Sequence, residues 1–158
     1  MSHFAGRRKA LLDRTAKERG AALVEFAFVS VLLVFFIYAV AVFGILLSTK
    51  NTITHAAAEG ARSALTVADL PAATADSRRI AEATTTAGNT LSNALGSHYH
   101  PSDIQASIAG CDSPADTHKC ITVTITYPWQ SDPIVPLAPG MGLATPNTIH
   151  TSAVVRLS

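Results

Sequence analysis

The sequence predicts an α+β chain: a long N-terminal transmembrane helix that continues into a small exported domain containing a second helix and a short antiparallel sheet. Three observations predict it. Phe26 to Leu47 runs 22 residues without a charge. Apolar and small residues then recur every three or four positions through two further stretches, the signature of helix faces. Near the C-terminus the period drops to two, with Ile121, Val123, Ile125 and Tyr127 alternating against Thr122, Thr124 and Thr126, the pattern of a half-buried strand.

Charge divides the N-terminal part. Residues 1–20 form a basic leader carrying Arg7, Arg8, Lys9, Arg14, Lys17 and Arg19 against Asp13 and Glu18. Residues 21–47 form the span: at about 1.5 Å per residue, the uncharged run reaches roughly 33 Å, enough for a hydrocarbon core of about 30 Å. The positive-inside rule then places the N-terminus in the cytoplasm and the C-terminal domain outside. A cleaved secretory signal fits poorly, because the apolar run exceeds the 7–15 residues of a signal core. Ala39-Val40-Ala41 lies inside that run, and charged residues separate Arg7-Arg8 from it.

Residues 48–70 are predicted to extend the helix to about Leu65, since no proline interrupts them. Ala56, Gly60 and Ala64, with Ala57, make a small-residue face. Such a face admits a close backbone neighbour, although alanine is also simply a good helix former. Pro71 marks a break, and residues 71–158 form the small exported domain. Its helix carries a stripe of Ile80, Ala83, Ala87, Leu91, Ala94 and Leu95, with Gly96 as its stop. "DIQASIAG" and "IHTSAVVRL" are the weaker strand candidates beside "CITVTITYP". The proline-rich stretch from Pro128 to Asn147 is a long connection. A core this small is marginal alone. Cys111 and Cys120 flank a turn-forming segment, and an oxidising exported compartment favours a disulfide over two free thiols.

Chemistry-bearing motifs are sparse. The body of the chain carries no basic patch, which argues against nucleic acid as a partner. His98, His100 and His118 lack a carboxylate cluster or a paired-cysteine spacing, so neither metal nor cofactor is expected. No nucleophile elbow, HExxH motif or glycine-rich phosphate loop is present, and no enzyme activity is expected.

The anomaly is Glu25, a carboxylate at the start of a membrane span. Near the cytoplasmic end it can be solvated by headgroups. Alternatively, cleavage between Gly20 and Ala21 creates an α-amino group four residues before it. That amine can pair with Glu25 along the same helix or from a neighbouring copy, offsetting the burial of both charges and setting axial register.

"RGAALVEF", a basic leader ending in glycine followed by apolar residues and Glu25-Phe26, resembles the class IV prepilin cleavage motif of the Flp and tight-adherence type. The longer run "ERGAALVEFAFVSVLLVFFIYAVAVFGILLSTKNTITHAAAEGARSAL" resembles the TadE-like family, and "HTSAVVRLS" resembles that family's ending. The resemblance implies a pilin-like fold and a pseudopilin or minor pilin cut by a prepilin peptidase between Gly20 and Ala21. Its implied partners are other pilins or pseudopilins, an inner-membrane assembly platform and membrane lipid, and it implies residence in the cytoplasmic (inner) membrane or a pilus. Family members commonly carry a proline in the span; here Ser30 is present and proline is absent, so a straighter helix is expected. The competing reading is an unprocessed single-span protein whose outer domain binds a partner.

Overall fold

The computed structural model describes residues 3–67, 71–111 and 118–157, and for residues 3–19, 72 and 73 the backbone alone. Its elements run in the order α1 (His3–Ser63), α2 (Ala72–Leu95), β1 (Ile104–Gly110), β2 (Lys119–Tyr127) and β3 (Ile149–Arg156), with short 3-10 turns between them. The chain divides into two compact units, Met1–Phe43 and Gly44–Ser158.

The first unit is helix alone. Helix α1 begins at His3, well before the expected span, so the leader backbone is helical as well. The leader's basic side chains lie outside the described residues. From Gly20 onward nearly every side chain is exposed: Leu23, Phe26, Phe28, Leu32 and Phe36 each show about two-thirds of their surface or more. An apolar helix exposed on all sides does not suit water, whereas lipid solvates every face. One helix, over Gly20–Thr66, is long and apolar enough to cross a membrane, and its most apolar window is almost wholly unburied. Ser30 turns its hydroxyl back onto the Phe26 carbonyl, satisfying that donor within the helix.

In the second unit, α1 packs on α2 around residues 59–63. Ile53, Ala56, Ala57, Ala61 and Ala64 are fully buried. The helices are closest at Gly60, where an added Cβ would lie 2.7 Å from the Ala83 carbonyl oxygen and 2.9 Å from the Ala87 Cβ. Ser63 donates to the Glu82 carbonyl, and Thr90 donates to the Glu59 carboxylate, so the two helices run antiparallel. The small-residue face of α1 is thus occupied within its own chain.

Helix α2 starts just after Pro71, its N-cap, whose ψ of 138° is not helical. The Pro71 carbonyl accepts from the Thr74 and Ala75 N–H groups, both at 2.9 Å. It ends at Gly96, whose φ of 58° glycine adopts without a Cβ penalty, with its N–H on the Ser92 carbonyl. The buried stripe is Ala75, Ala83, Ala87 and Leu91, joined by Gly88 under the Tyr99 ring. Two expected members differ. Ile80 is half-buried, and Ala94 faces solvent because the 3.6-residue repeat carries the stripe past it to the half-buried Leu95.

All three expected strands form, in the order β1-β2-β3 with antiparallel neighbours. Register brings Ile104, Ala106 and Ile108 beside Ile125, Val123 and Ile121, and these beside Thr151, Ala153 and Val155. That face carries the buried residues of β2 other than Cys120, while on the opposite face Thr122 and Thr124 are half-buried and Thr126 is exposed. Cys111 and Cys120 are disulfide-bonded, with Cα atoms 4.9 Å apart, at the turn end of the β1–β2 hairpin. The Cys111 N–H donates to His118 O beside them. The turn between the cysteines, including Pro114, lies outside the described residues.

Gly60→Leu is expected to lower the stability of the 44–158 unit by about 1–3 kcal/mol or more through overpacking, whereas Ala94→Leu stays within about 0.5 kcal/mol. Thermal unfolding of the detergent-solubilised chain, followed by near-ultraviolet dichroism, distinguishes them. Cys111→Ser with Cys120→Ser is expected to cost roughly 2–3 kcal/mol, from a ten-residue loop no longer closed in the unfolded chain.

Candidate processing and assembly site

The residues singled out for processing lie together on α1. Gly20, Ala21, Glu25 and Phe26 are all exposed, Phe26 at 71%. A Cβ built on Gly20 would meet nothing within 4 Å, so packing within the chain does not require glycine there. Its backbone is ordinary right-handed helix, so conformation does not require it either. Glu25 has no hydrogen bond or ion pair among the described residues. A glycine and a carboxylate five residues apart therefore stand in an apolar helix without a packing or pairing role among the described residues. Gly60 is the opposite case, since the α2 backbone fills the space a side chain would need.

Residues 20–62 match the family model described as TadE-like protein. That segment of the chain is similar to TadE-like proteins. The match opens on Gly20 and closes one residue before α1 ends. It leaves α2, the sheet and the C-terminal "HTSAVVRLS" outside. TadE-like proteins are associated with tight-adherence pili and are not known as enzymes. No curated protein and no solved structure matches the chain.

Beyond the TadE-like segment, one polar cluster escaped the sequence reading. The His98 Nδ1 lies 2.8 Å from Asp132 Oδ1, and the His100 Nε2 lies 3.8 Å from Asp132 Oδ2. The Tyr127 hydroxyl donates to the Asp132 carbonyl at 2.6 Å. His100 also donates its backbone N–H to the Asp103 carboxylate. The carboxylate on His98 comes from a loop thirty-four residues away, a distance no local motif signals. The cluster ties the end of α2 to the start of the β2–β3 loop. Among the described residues, no group of three or more His, Cys, Asp or Glu side chains is arranged to hold a metal ion.

Burial raises the Asp103 carboxyl above its usual range, and the nearby Asp132 charge adds to this. The His100 N–H and the His100 ring charge pull it back down. Burial, with the Asp132 and Asp103 charges behind it, pushes the Tyr127 phenol up to about 12. Beside it the Trp129 ring is fully buried, edge-on to Tyr127 at 6.4 Å, and its indole N–H has no hydrogen-bond partner among the described residues. Gln130 fastens the same loop through its side-chain amide to the Gly142 and Thr145 carbonyls. On α1, Asn51, Thr54, His55, Ala58, Glu59 and Arg62 line an open groove of about 520 Å³.

Two outcomes follow for this cluster. Because the folded phenol of Tyr127 titrates above its usual 10.0, its stabilising share is complete below pH 10 and is lost as pH rises towards about 12. An alkaline absorbance titration should show a late tyrosinate step that Tyr127→Phe removes. Trp129→Ala is expected to cost about 3–5 kcal/mol as a cavity. Trp129→Phe should cost distinctly less, because the N–H it deletes is unpaired.

Proposed function

We propose that the chain is a pseudopilin or minor pilin of a tight-adherence pilus, cut by a prepilin peptidase between Gly20 and Ala21. One observation carries this reading: the TadE-like match begins at Gly20, on a helix where Gly20 and Glu25 meet no packing or pairing partner among the described residues. A small residue at 20 suits a protease that must close on the bond after it. A carboxylate at 25 suits the amine that the cut exposes on Ala21, four residues and about one turn away. The basic leader places the N-terminus in the cytoplasm by the positive-inside rule, leaving the 44–158 unit outside the inner membrane. Other pilins or pseudopilins and the assembly platform are the partners of the mature helix, which lipid surrounds until assembly. The exported unit, with its own core and disulfide, suits a low-copy component better than a filament repeat.

Gly20→Trp is expected to abolish processing while leaving the 44–158 unit folded, because nothing packs at Gly20. Immunoblots of membranes from a host with an active prepilin peptidase should then show only the longer chain. Glu25→Ala should be cut normally yet fail to support piliation, because removing one partner of a buried charge pair costs about 3–5 kcal/mol. Normal piliation by a cleaved Glu25→Ala chain would refute the pairing role.

A further inference from the structure

One edge of the sheet is open. The Leu157 N–H donates to the Lys119 carbonyl at 2.8 Å, in line with the β2–β3 register. Opposite residues of an antiparallel ladder alternate between bonded and unbonded pairs. Thr151, Ala153 and Val155 therefore bond β2, whereas His150, Ser152, Val154 and Arg156 turn their N–H and C=O groups away from it. The other ladder agrees. The Cys111 N–H donates to the His118 carbonyl, which assigns the even-numbered residues of β2 to β1 and leaves the odd-numbered ones for β3. Among the described residues no strand lies beyond β3, and all four outward-turned residues are exposed. The free edge of β1 differs: its outward groups belong to residues that are buried or half-buried, and the Ile104 N–H is held by the Pro101 carbonyl.

An open row of N–H and C=O groups templates another strand, so edges are commonly guarded by proline, a bulge or a central charge. Strand β3 has none of these. Its eight residues pair with β2 without a break, include no proline, and carry one formal charge, Arg156, at the last position. Val154, inside the open row, leaves 58% of its surface exposed on a face where its neighbours are Ser152, Thr122 and Ser107.

We propose that β3 takes up an extended segment of another protein as a fourth, antiparallel strand, and that this segment carries a carboxylate at its N-terminal end, opposite Arg156. Charge decides the occupant. Arg156 is exposed and has no ion pair among the described residues. An antiparallel second copy of β3, centred on Ala153, would set His150 against it instead of a carboxylate, and β1 carries no acidic residue either. Main-chain bonds supply the affinity, and the side chains opposite Arg156 and Val154 supply the selectivity, a carboxylate for the first and an apolar residue for the second. Only the 44–158 unit is involved, so the added strand is independent of cleavage after Gly20.

The test uses the full, isotope-labelled chain in detergent micelles and the probe peptide acetyl-Glu-Thr-Val-Thr-Val-Thr-Val-amide, whose glutamate faces Arg156 and whose first valine faces Val154. The expected result is an alternating response along β3. The amide signals of Ser152 and Val154 move, and their exchange with deuterium slows by about tenfold or more, while Thr151, Ala153 and Val155, already bonded to β2, hold still. Lysine in place of the peptide's glutamate should weaken binding about two- to fivefold, the range of an exposed ion pair, and Arg156→Gln should remove that difference. Ser152→Pro should abolish binding and leave the sheet folded, because the N–H it deletes lies outside the β2 ladder. A Ser152→Pro chain that loses its sheet overturns the bonding phase assigned to β3. Silence at Ser152 and Val154, or equal shifts along the whole strand, overturns strand addition. Equal binding of the two peptides overturns the carboxylate, and protection that grows with chain concentration in the absence of peptide overturns the choice of partner in favour of a second copy.

Discussion

The contact between Gly60 of α1 and the Ala83–Ala87 turn of α2 is the joint on which the 44–158 unit depends. No side chain fits between these backbones, so the two helices meet at one depth and in one register. From that joint the antiparallel pair determines where α2 ends, and hence where the turns at Gly96–His98 and Pro101–Asp103 deliver the chain into β1. The sheet adds its Ile, Val and Tyr face to the same core. A unit this small has few such layers, so the disulfide and the His98–Asp132 tie restrain the two ends of the sheet that helix packing leaves open.

The same helix carries two kinds of surface. From Gly20 to about Leu47 its side chains are mostly large, apolar and exposed; from Ile53 to Ala64 the buried ones are mainly alanine. Large side chains suit lipid, which fills whatever shape they leave. Small ones suit a backbone neighbour that must come close. Gly20 and Gly60 illustrate the change. The second is required by α2, and the first by nothing among the described residues, which turns attention to what acts on the chain from outside.

Much of this was legible in the sequence because it is local and periodic. The uncharged run, the three- and four-residue spacing of Ala56, Gly60 and Ala64, and the alternation of β2 each report a single element's environment. Gly96 declared the end of α2 for the same reason, since a positive φ favours glycine. What escaped was non-local. Asp132 meets His98 across thirty-four residues, and Trp129 is buried in a loop whose prolines read as surface. Ala94 has the right three-to-four spacing but faces solvent, because the buried stripe passes on to Leu95. The split of the small-residue face between helix propensity and contact was decided by α2, an element later in the chain. For the candidate site, the motif at Gly20–Phe26 was fully visible in sequence. The structure adds that, among the described residues, neither Gly20 nor Glu25 has a packing or pairing partner.

The account turns on whether the bond after Gly20 is broken in the working protein. Intact mass and N-terminal sequencing of the chain purified from its native membranes decide this directly. The account predicts a chain that begins at Ala21 and lacks residues 1–20. A chain that retains its leader, in cells whose prepilin peptidase is active, would contradict it and leave Glu25 without the amine proposed as its partner.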